Sequence, residues 1–344
     1  MNEWLSNKFK WLSFFATWAV VVLHSGVYVP GVHGKIDAFR DVVVDYVTWA
    51  VPMFFVISGY LFCLSYEKYG WKEFFVKKIK TLYVPVVAWC FLTEILVLPT
   101  TFYVHDVPGI RAWLGSFLLL INVDAWAPSS SLHSVSQLWY VRDLIFWFAI
   151  APVLYFIGKW KWWSILAALL GACGIMQFGV FWVWRYEFRF VWLGLFFLVC
   201  GMVLCHSKLA LRRLNNKIAI LLLSVAFVLL LLCDYTDLND MRGIDLFHRI
   251  FLLVIVWVLY DLLDGLGWIG ACPPVFTCVF FVYCIHAVVL RYIKGAVTQC
   301  FGMDEWVRIA GYVLHVGSFW VDLGLAIGAR KYLPRLYSLL SGSR

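Results

Sequence analysis

The sequence is poor in charged residues, and this excludes an ordinary soluble domain. Of its 344 residues, 14% are Asp, Glu, Lys or Arg and 63% are hydrophobic, whereas soluble domains have roughly 25% charged residues. The alternation of polar and apolar residues that is typical of membrane-spanning strands is also absent. We therefore expect an all-α protein that is integral to a membrane.

Motifs for metal binding and for secretion are missing as well. The 10 cysteines form no Cys-x-x-Cys pair and no His/Cys cluster with zinc spacing, so we expect no metal and interpret them as small apolar packing residues. No small-residue cleavage site follows the first apolar run, and we expect this helix to stay in the protein. The net charge of +8 is interpreted as topology signals and contacts with membrane lipids, not as nucleic-acid binding.

Apolar windows of about 20 residues predict a polytopic bundle of about ten transmembrane helices. No internal repeat and no matched pair of broken helices is visible. We interpret residues 1–344 as a single membrane-embedded domain. The predicted spans are 10–28, 43–65, 80–98, 137–157, 161–179, 187–205, 217–234, 247–263, 275–293 and 306–328.

The distribution of basic residues predicts the orientation of these helices. An even number of spans places both termini on the same side of the membrane. If that side is cytoplasmic, more than half of the 28 Lys and Arg residues, including Lys8 and Lys10 before the first span, fall in cytoplasmic segments. The positive-inside rule therefore predicts that both termini are cytoplasmic.

Ionisable side chains inside the apolar spans are candidates for chemistry, because charge within a bilayer is costly. His24 lies near the end of the first span and His286 within the ninth. Histidine titrates nearest to neutral pH, which suits proton transfer. For His24, the alternative is an interfacial histidine held by a backbone carbonyl.

Four charged residues lie in or beside other spans. Arg142 and Asp143 are adjacent in the sequence and point about 100° apart on a helix, so we expect each to find a partner on another helix. For Glu94 and Asp322 we favour structural ion pairs that fix the helix register.

Lysines form a second candidate site at the predicted start of the third helix, namely Lys77, Lys78 and Lys80. Helix N-termini favour anions, and lysine binds phosphate as a point charge. The cluster thus predicts a phosphate site on the cytoplasmic side. The alternative is a positive-inside stop signal.

Five stretches, in order along the chain, resemble segments of the integral-membrane acyltransferase family three, which includes bacterial O-acetyltransferases of surface polysaccharides. They are 20–25 with His24, 51–61, 77–85 with the three lysines, 138–144 with Arg142, and 280–286 with His286. The family commonly has an arginine where this chain has Ser13, and arginine where this chain has the lysines.

The resemblance implies an enzyme of the bacterial cytoplasmic membrane that moves an acyl group, usually acetyl, from acyl-CoA to a hydroxyl of a glycan or lipid-linked saccharide. We expect His24 to act as general base or transient acyl acceptor and the three lysines to bind the CoA phosphates. Arg142 would pair with a phosphate or stabilise an oxyanion, and His286 would orient a partner or relay a proton. The alternatives are a proton-coupled transporter or glycan-export protein, and a sensor without catalysis. The acceptor, the acyl group and the oligomeric state stay open.

Overall fold

A computed structural model describes residues 1–25, 35–101, 138–160, 162–178, 185–235, 244–301 and 305–342, and the regular structure within these ranges is helical. A π-helical turn, Ile79–Tyr83, joins the third helix to the fourth. The α-helices are α1 (Glu3–Leu23), α2 (Lys35–Tyr46), α3 (Ala50–Lys78), α4 (Val84–Thr101), α5 (Trp139–Ala149), α6 (Ala151–Gly158), α7 (Trp162–Phe178), α8 (Arg185–Ser207), α9 (Asn216–Tyr235), α10 (Ile244–Gly265), α11 (Val279–Phe301), α12 (Glu305–Tyr332) and α13 (Pro334–Ser341).

Several of these helices can cross a membrane. Within the described ranges, 5 segments are long and apolar enough to do so, or 6 if one bent pair counts as a single span. The longest segment, Ala38–Thr93, has 56 residues, whereas a span needs about 20. It covers the second predicted span and most of the third, as far as Thr93, and the backbone breaks between them at Gly70, which has φ 70°. The all-α class is confirmed, and the predicted number of about ten spans is not.

The fourth predicted span, 137–157, is broken rather than straight. Helices α5 and α6 meet at 84°, and Pro152 stands in the first turn of α6. Proline has no N–H to donate, and its ring clashes with the carbonyl four residues earlier, which accounts for the break in the helix at this position.

The chain folds into two compact units. Unit 1 comprises Met1–Ala16, Thr48–Phe74 and Trp147–Pro274, and unit 2 comprises Thr17–Val47, Phe75–Phe146 and Val275–Arg344. A single membrane-embedded domain over residues 1–344 stays a prediction.

In unit 1, helices α3 and α8 cross in direct backbone contact. A Cβ atom placed on Gly59 would lie 2.0 Å from the carbonyl oxygen of Leu198, and one on Gly201 would lie 1.9 Å from that of Val56. Only glycine permits this approach, which is common where membrane helices pack.

We expect Gly201→Ala to destabilise the protein by about 3 kcal/mol, because the two backbones must separate to admit the methyl group. Thermal unfolding of the purified protein measures the effect. Gly171→Ala is the matched control, since a Cβ at this helical position meets no atom within 4 Å. An equal melting temperature for both variants would contradict the direct contact.

The first helix is fastened to α10 by a buried ion pair. The ammonium of Lys8 lies 2.6 Å from Oδ1 of Asp261, and both side chains are almost fully buried. The same ammonium lies 4.0 Å from the ring centroid of Trp257, a cation–π distance. Lys8, which the sequence places before the first predicted span, lies inside α1, because this helix begins at Glu3.

Lys8→Met is expected to cost about 3–5 kcal/mol of stability, since it leaves the carboxylate of Asp261 buried without its cation. The double variant Lys8→Met/Asp261→Leu should recover most of this loss. A double-mutant cycle on SDS-induced unfolding measures the coupling. Additive losses in the double variant would show that the pair does not act as a unit.

Cysteines of the described part are free thiols, and Cys90 and Cys284 are among those that are buried. Cys63 does more than fill space. Its Sγ lies 3.5 Å from Nε2 of His206, whose Nδ1 lies 3.7 Å from Oε1 of Glu67. The interpretation of the cysteines as purely apolar packing residues is therefore wrong for Cys63.

Unit 2 is built around α11, which packs against α4, α12 and α13. The indole N–H of Trp89 on α4 donates a hydrogen bond to the carbonyl oxygen of Leu340 on α13, at 2.9 Å. Phe281 on α11 packs edge-on against Trp89 and stacks on Tyr337 of α13. These contacts place the C-terminal helix beside the first residues of α4 and α11.

Candidate functional site

Two histidines from opposite ends of the sequence meet in unit 2. His24 follows the last residue of α1, and His286 lies in the third turn of α11. Their ring centroids are 5.4 Å apart, and the ring planes are inclined by 33°. His286 is completely buried, whereas the side chain of His24 is exposed. The structure thus brings together the two residues that the sequence singles out for proton transfer.

The tautomer of His286 follows from its hydrogen bond. Its Nδ1 lies 2.6 Å from the backbone carbonyl oxygen of Tyr283. A carbonyl oxygen only accepts, so Nδ1 carries the proton and Nε2 carries the lone pair. Nε2 is buried and has no hydrogen-bond partner among the described residues. This nitrogen can therefore accept a hydrogen bond from a donor that comes within reach.

Lys294 holds the chain at His24. Its Nζ donates a hydrogen bond to the backbone carbonyl oxygen of His24, at 2.8 Å. Carbonyls at the end of a helix lack intrahelical donors, and a cation is favourable there. Sequence reasoning did not single out Lys294. Its position two turns beyond His286 on α11 is the signal that it missed.

Arg142 and Asp143 pair with each other, contrary to expectation. The guanidinium bonds Oδ1 of Asp143 through Nε at 3.0 Å and Nη2 at 2.8 Å, because the long arginine side chain can turn back along the helix. Asp143 is buried, and its Oδ2 has no partner in the described part. On the same helix, Tyr140 packs edge-on against Tyr283, whose carbonyl orients His286. Arg142 therefore lies on a helix that supports the histidine pair.

The three lysines occupy a continuous stretch of helix rather than a helix start. Lys77 and Lys78 end α3, and Lys80 lies in the π-turn. The N–H of Val84 bonds the carbonyl oxygen of Ile79, so the chain passes into α4 without a free set of backbone donors. The expected helix N-terminus is absent, and any attraction for phosphate comes from side-chain charge alone.

Asp322 does not form the predicted structural ion pair with any of the described residues. It is fully buried on α12, and neither carboxylate oxygen has a hydrogen-bond partner in the described part of the chain. His315, seven residues earlier on the same face of α12, is also fully buried. The side chain of Glu94 lies outside the described residues. No group of three or more described His, Cys, Asp and Glu side chains is arranged to hold a metal ion.

The fold and the site define a multi-pass helical membrane protein with a partly buried pair of histidines. Residues 7–318 match the family model described as an acyltransferase domain. The chain therefore belongs to acyltransferase family 3 and is a membrane acyltransferase. No curated protein and no solved structure matches it. The matched residues include the histidine pair, Arg142 and the lysines, and they end before α13.

Proposed function

We propose that this acyltransferase moves an acetyl group from acetyl-CoA to a hydroxyl of a glycan or lipid-linked saccharide. It would act in a bacterial cytoplasmic membrane, with both termini cytoplasmic. The observation that supports this proposal is the contact of His24 with His286. The Nδ1 of His286 is used in a hydrogen bond, and its Nε2 carries a lone pair that can accept one. A thioester is already activated, so the protein has to position it and take a proton from the acceptor hydroxyl.

The two histidines divide the proton transfer between them. The exposed His24 takes the proton from the acceptor hydroxyl as its oxygen attacks the thioester carbonyl carbon. The carbon–sulfur bond breaks, and protonated His24 then gives this proton to the leaving CoA thiolate, which becomes a thiol. His286 accepts a hydrogen bond from protonated His24 at Nε2 and stabilises that form. Arg142 lies on the helix beside this pair, and oxyanion stabilisation stays its proposed role.

The donor phosphates are proposed to bind Lys77, Lys78 and Lys80. Helix α11 connects this end of unit 2 with the histidines, because Phe281 packs against α4 and α13 near its start. Five residues separate Phe281 from His286, which is roughly 8 Å along a helix axis. The lysines lie a further nine to twelve residues before Trp89, roughly 14–18 Å of helix, and the acyl arm of the donor is proposed to extend along α4 and α11 to the histidine pair.

The direct test uses the protein purified in lipid nanodiscs. It is incubated with acetyl-CoA carrying a labelled acetyl group and with glycans extracted from host cells that lack the gene. Label transferred to glycan, with release of one CoA thiol per acetyl group, supports the proposal. Mass spectrometry of surface glycans from cells with and without the gene then identifies the acceptor. No thiol release and no labelled glycan would overturn it.

Changing Lys77, Lys78 and Lys80 together to Gln is expected to raise the KM for acetyl-CoA about tenfold, while kcat stays within about twofold. The charges attract the donor phosphates and do not touch the reacting atoms. Thiol release at varied acetyl-CoA concentration measures both constants. An unchanged KM would contradict phosphate binding by the lysines and favour the alternative that they are topology signals.

Proton-coupled transport is a second candidate, and the buried Asp322 favours it. Ionisable groups within membrane helices are typical of proton pathways, and neither oxygen of Asp322 has a partner among the described residues. Reconstituted vesicles with an imposed pH gradient test this function. Glycan movement that requires Asp322 and proceeds without acetyl-CoA supports transport, and its absence alongside acetyl transfer excludes it.

A further inference from the structure

At one end of unit 2, three described stretches contain basic residues but no Asp or Glu. This end, here called the basic end, is formed by stretches 75–93, 275–285 and 323–342, which pack together through Trp89, Phe281 and Tyr337. None of the three stretches contains Asp or Glu. Its basic residues are Lys77, Lys78, Lys80, Arg330, Lys331 and Arg335. Charge of a single sign on one surface attracts anions.

The C-terminal helix docks directly on the lysine segment. Pro85 has no N–H, and it stands where the helical donor to the Thr81 carbonyl would be; the π-turn Ile79–Tyr83 accommodates it. The backbone of Gly342, just after α13, approaches the same carbonyl so closely that a Cβ atom would lie 2.1 Å from the oxygen. Gly342 also has φ +68°, which favours glycine. Glycine at position 342 therefore allows the close contact between the end of α13 and Thr81.

Helix α13 turns its apolar face inward and its charge outward. Tyr337, Leu340 and Ser341 are buried, whereas Arg335 is exposed. Arg330 and Lys331, in the last turn of α12, are exposed as well. Seven residues separate Arg335 from Gly342, roughly 10 Å along the helix. The basic side chains are therefore too far apart for a single phosphate to contact all of them.

We propose that Arg330, Lys331 and Arg335 complete, with the three lysines, a binding subsite for a molecule that carries more than one phosphate. This inference rests on the proposed function, within which the molecule is the acyl-CoA donor, with a 3′-phosphate and a pyrophosphate. The three residues lie beyond position 318, where the family match ends. Lipid phosphates share the same chemistry, and the test has to separate the two sources.

The test compares wild type with the full-length variant Arg330→Gln/Lys331→Gln/Arg335→Gln, in nanodiscs of zwitterionic lipid only and in nanodiscs that also contain anionic lipid. We expect its KM for acetyl-CoA to rise about tenfold, with kcat within about twofold of wild type. Competition with CoA should weaken similarly, and competition with dephospho-CoA should weaken less. The matched control, Lys208→Gln/Arg212→Gln/Lys217→Gln, removes exposed basic residues of unit 1 and should leave the KM unchanged.

A second variant tests the docking of α13 without removing charge. Gly342→Ala should raise the KM for acetyl-CoA several-fold and leave kcat unchanged, because the added methyl group displaces the chain from Thr81. An unchanged KM in both variants, with normal wild-type turnover, overturns the subsite alone. A KM effect that occurs only with anionic lipid assigns these residues to lipid headgroups and likewise overturns it. Wild-type protein that neither binds CoA nor releases thiol overturns the proposed function too.

Discussion

Replacing His24 by alanine is expected to lower acetyl transfer by about 10²–10⁴-fold, the usual contribution of a positioned general base. His24 is the exposed member of the histidine pair, 5.4 Å from His286 between ring centroids, so it is the imidazole that an acceptor hydroxyl can reach. Its loss removes the proton acceptor and leaves the lysines and the basic end intact. We therefore expect kcat to fall and the KM for acetyl-CoA to change little.

The matched control is His248→Ala in unit 1. His248 is buried in a helix, where its Nε2 lies 3.5 Å from Oδ1 of Asp234, and it has no place in the proposed chemistry. Glycan acetylation in cells, normalised to the amount of protein in the membrane, measures both variants. Normal acetylation with His24→Ala would remove this residue from the mechanism.

Replacing His286 by asparagine is expected to lower acetyl transfer by about 10²-fold or more. The asparagine amide can still donate to the carbonyl oxygen of Tyr283, as Nδ1 of His286 does, so the local helix should be preserved. It lacks the lone pair that Nε2 of His286 carries. The variant therefore removes the chemistry of the buried base rather than its packing.

Tyr283→Phe is the control that separates the chemical role of His286 from the effect of a change in local packing. It deletes the ring hydroxyl and keeps the backbone carbonyl that orients His286, so we expect acetyl transfer within about threefold of wild type. If the purified His286→Asn variant retains full activity, the proposed stabilisation of protonated His24 by His286 is wrong. Equal losses in both variants would instead show that the position is sensitive to any change in packing.

Physical reasoning on single residues located much of the candidate site. Histidine within an apolar helix is costly, and this singled out His24 and His286. The same reasoning failed for Lys8, because burial of a lysine inside α1 depends on Asp261, which is 253 residues away in the sequence. It failed for Arg142 as well, since the reach of a long side chain back to its neighbour is a matter of rotamer and local space.

The sequence by itself determined the helical membrane class, the family and the candidate residues, because apolar run length, charge content and ordered motifs are local properties of the chain. Only the tertiary structure decided which of these residues meet. It placed the ring of His286 beside that of His24, turned the predicted helix start at the lysines into a π-turn, and docked the end of α13 on Thr81. Such contacts depend on side-chain packing between helices far apart in the sequence, and no local pattern encodes that packing.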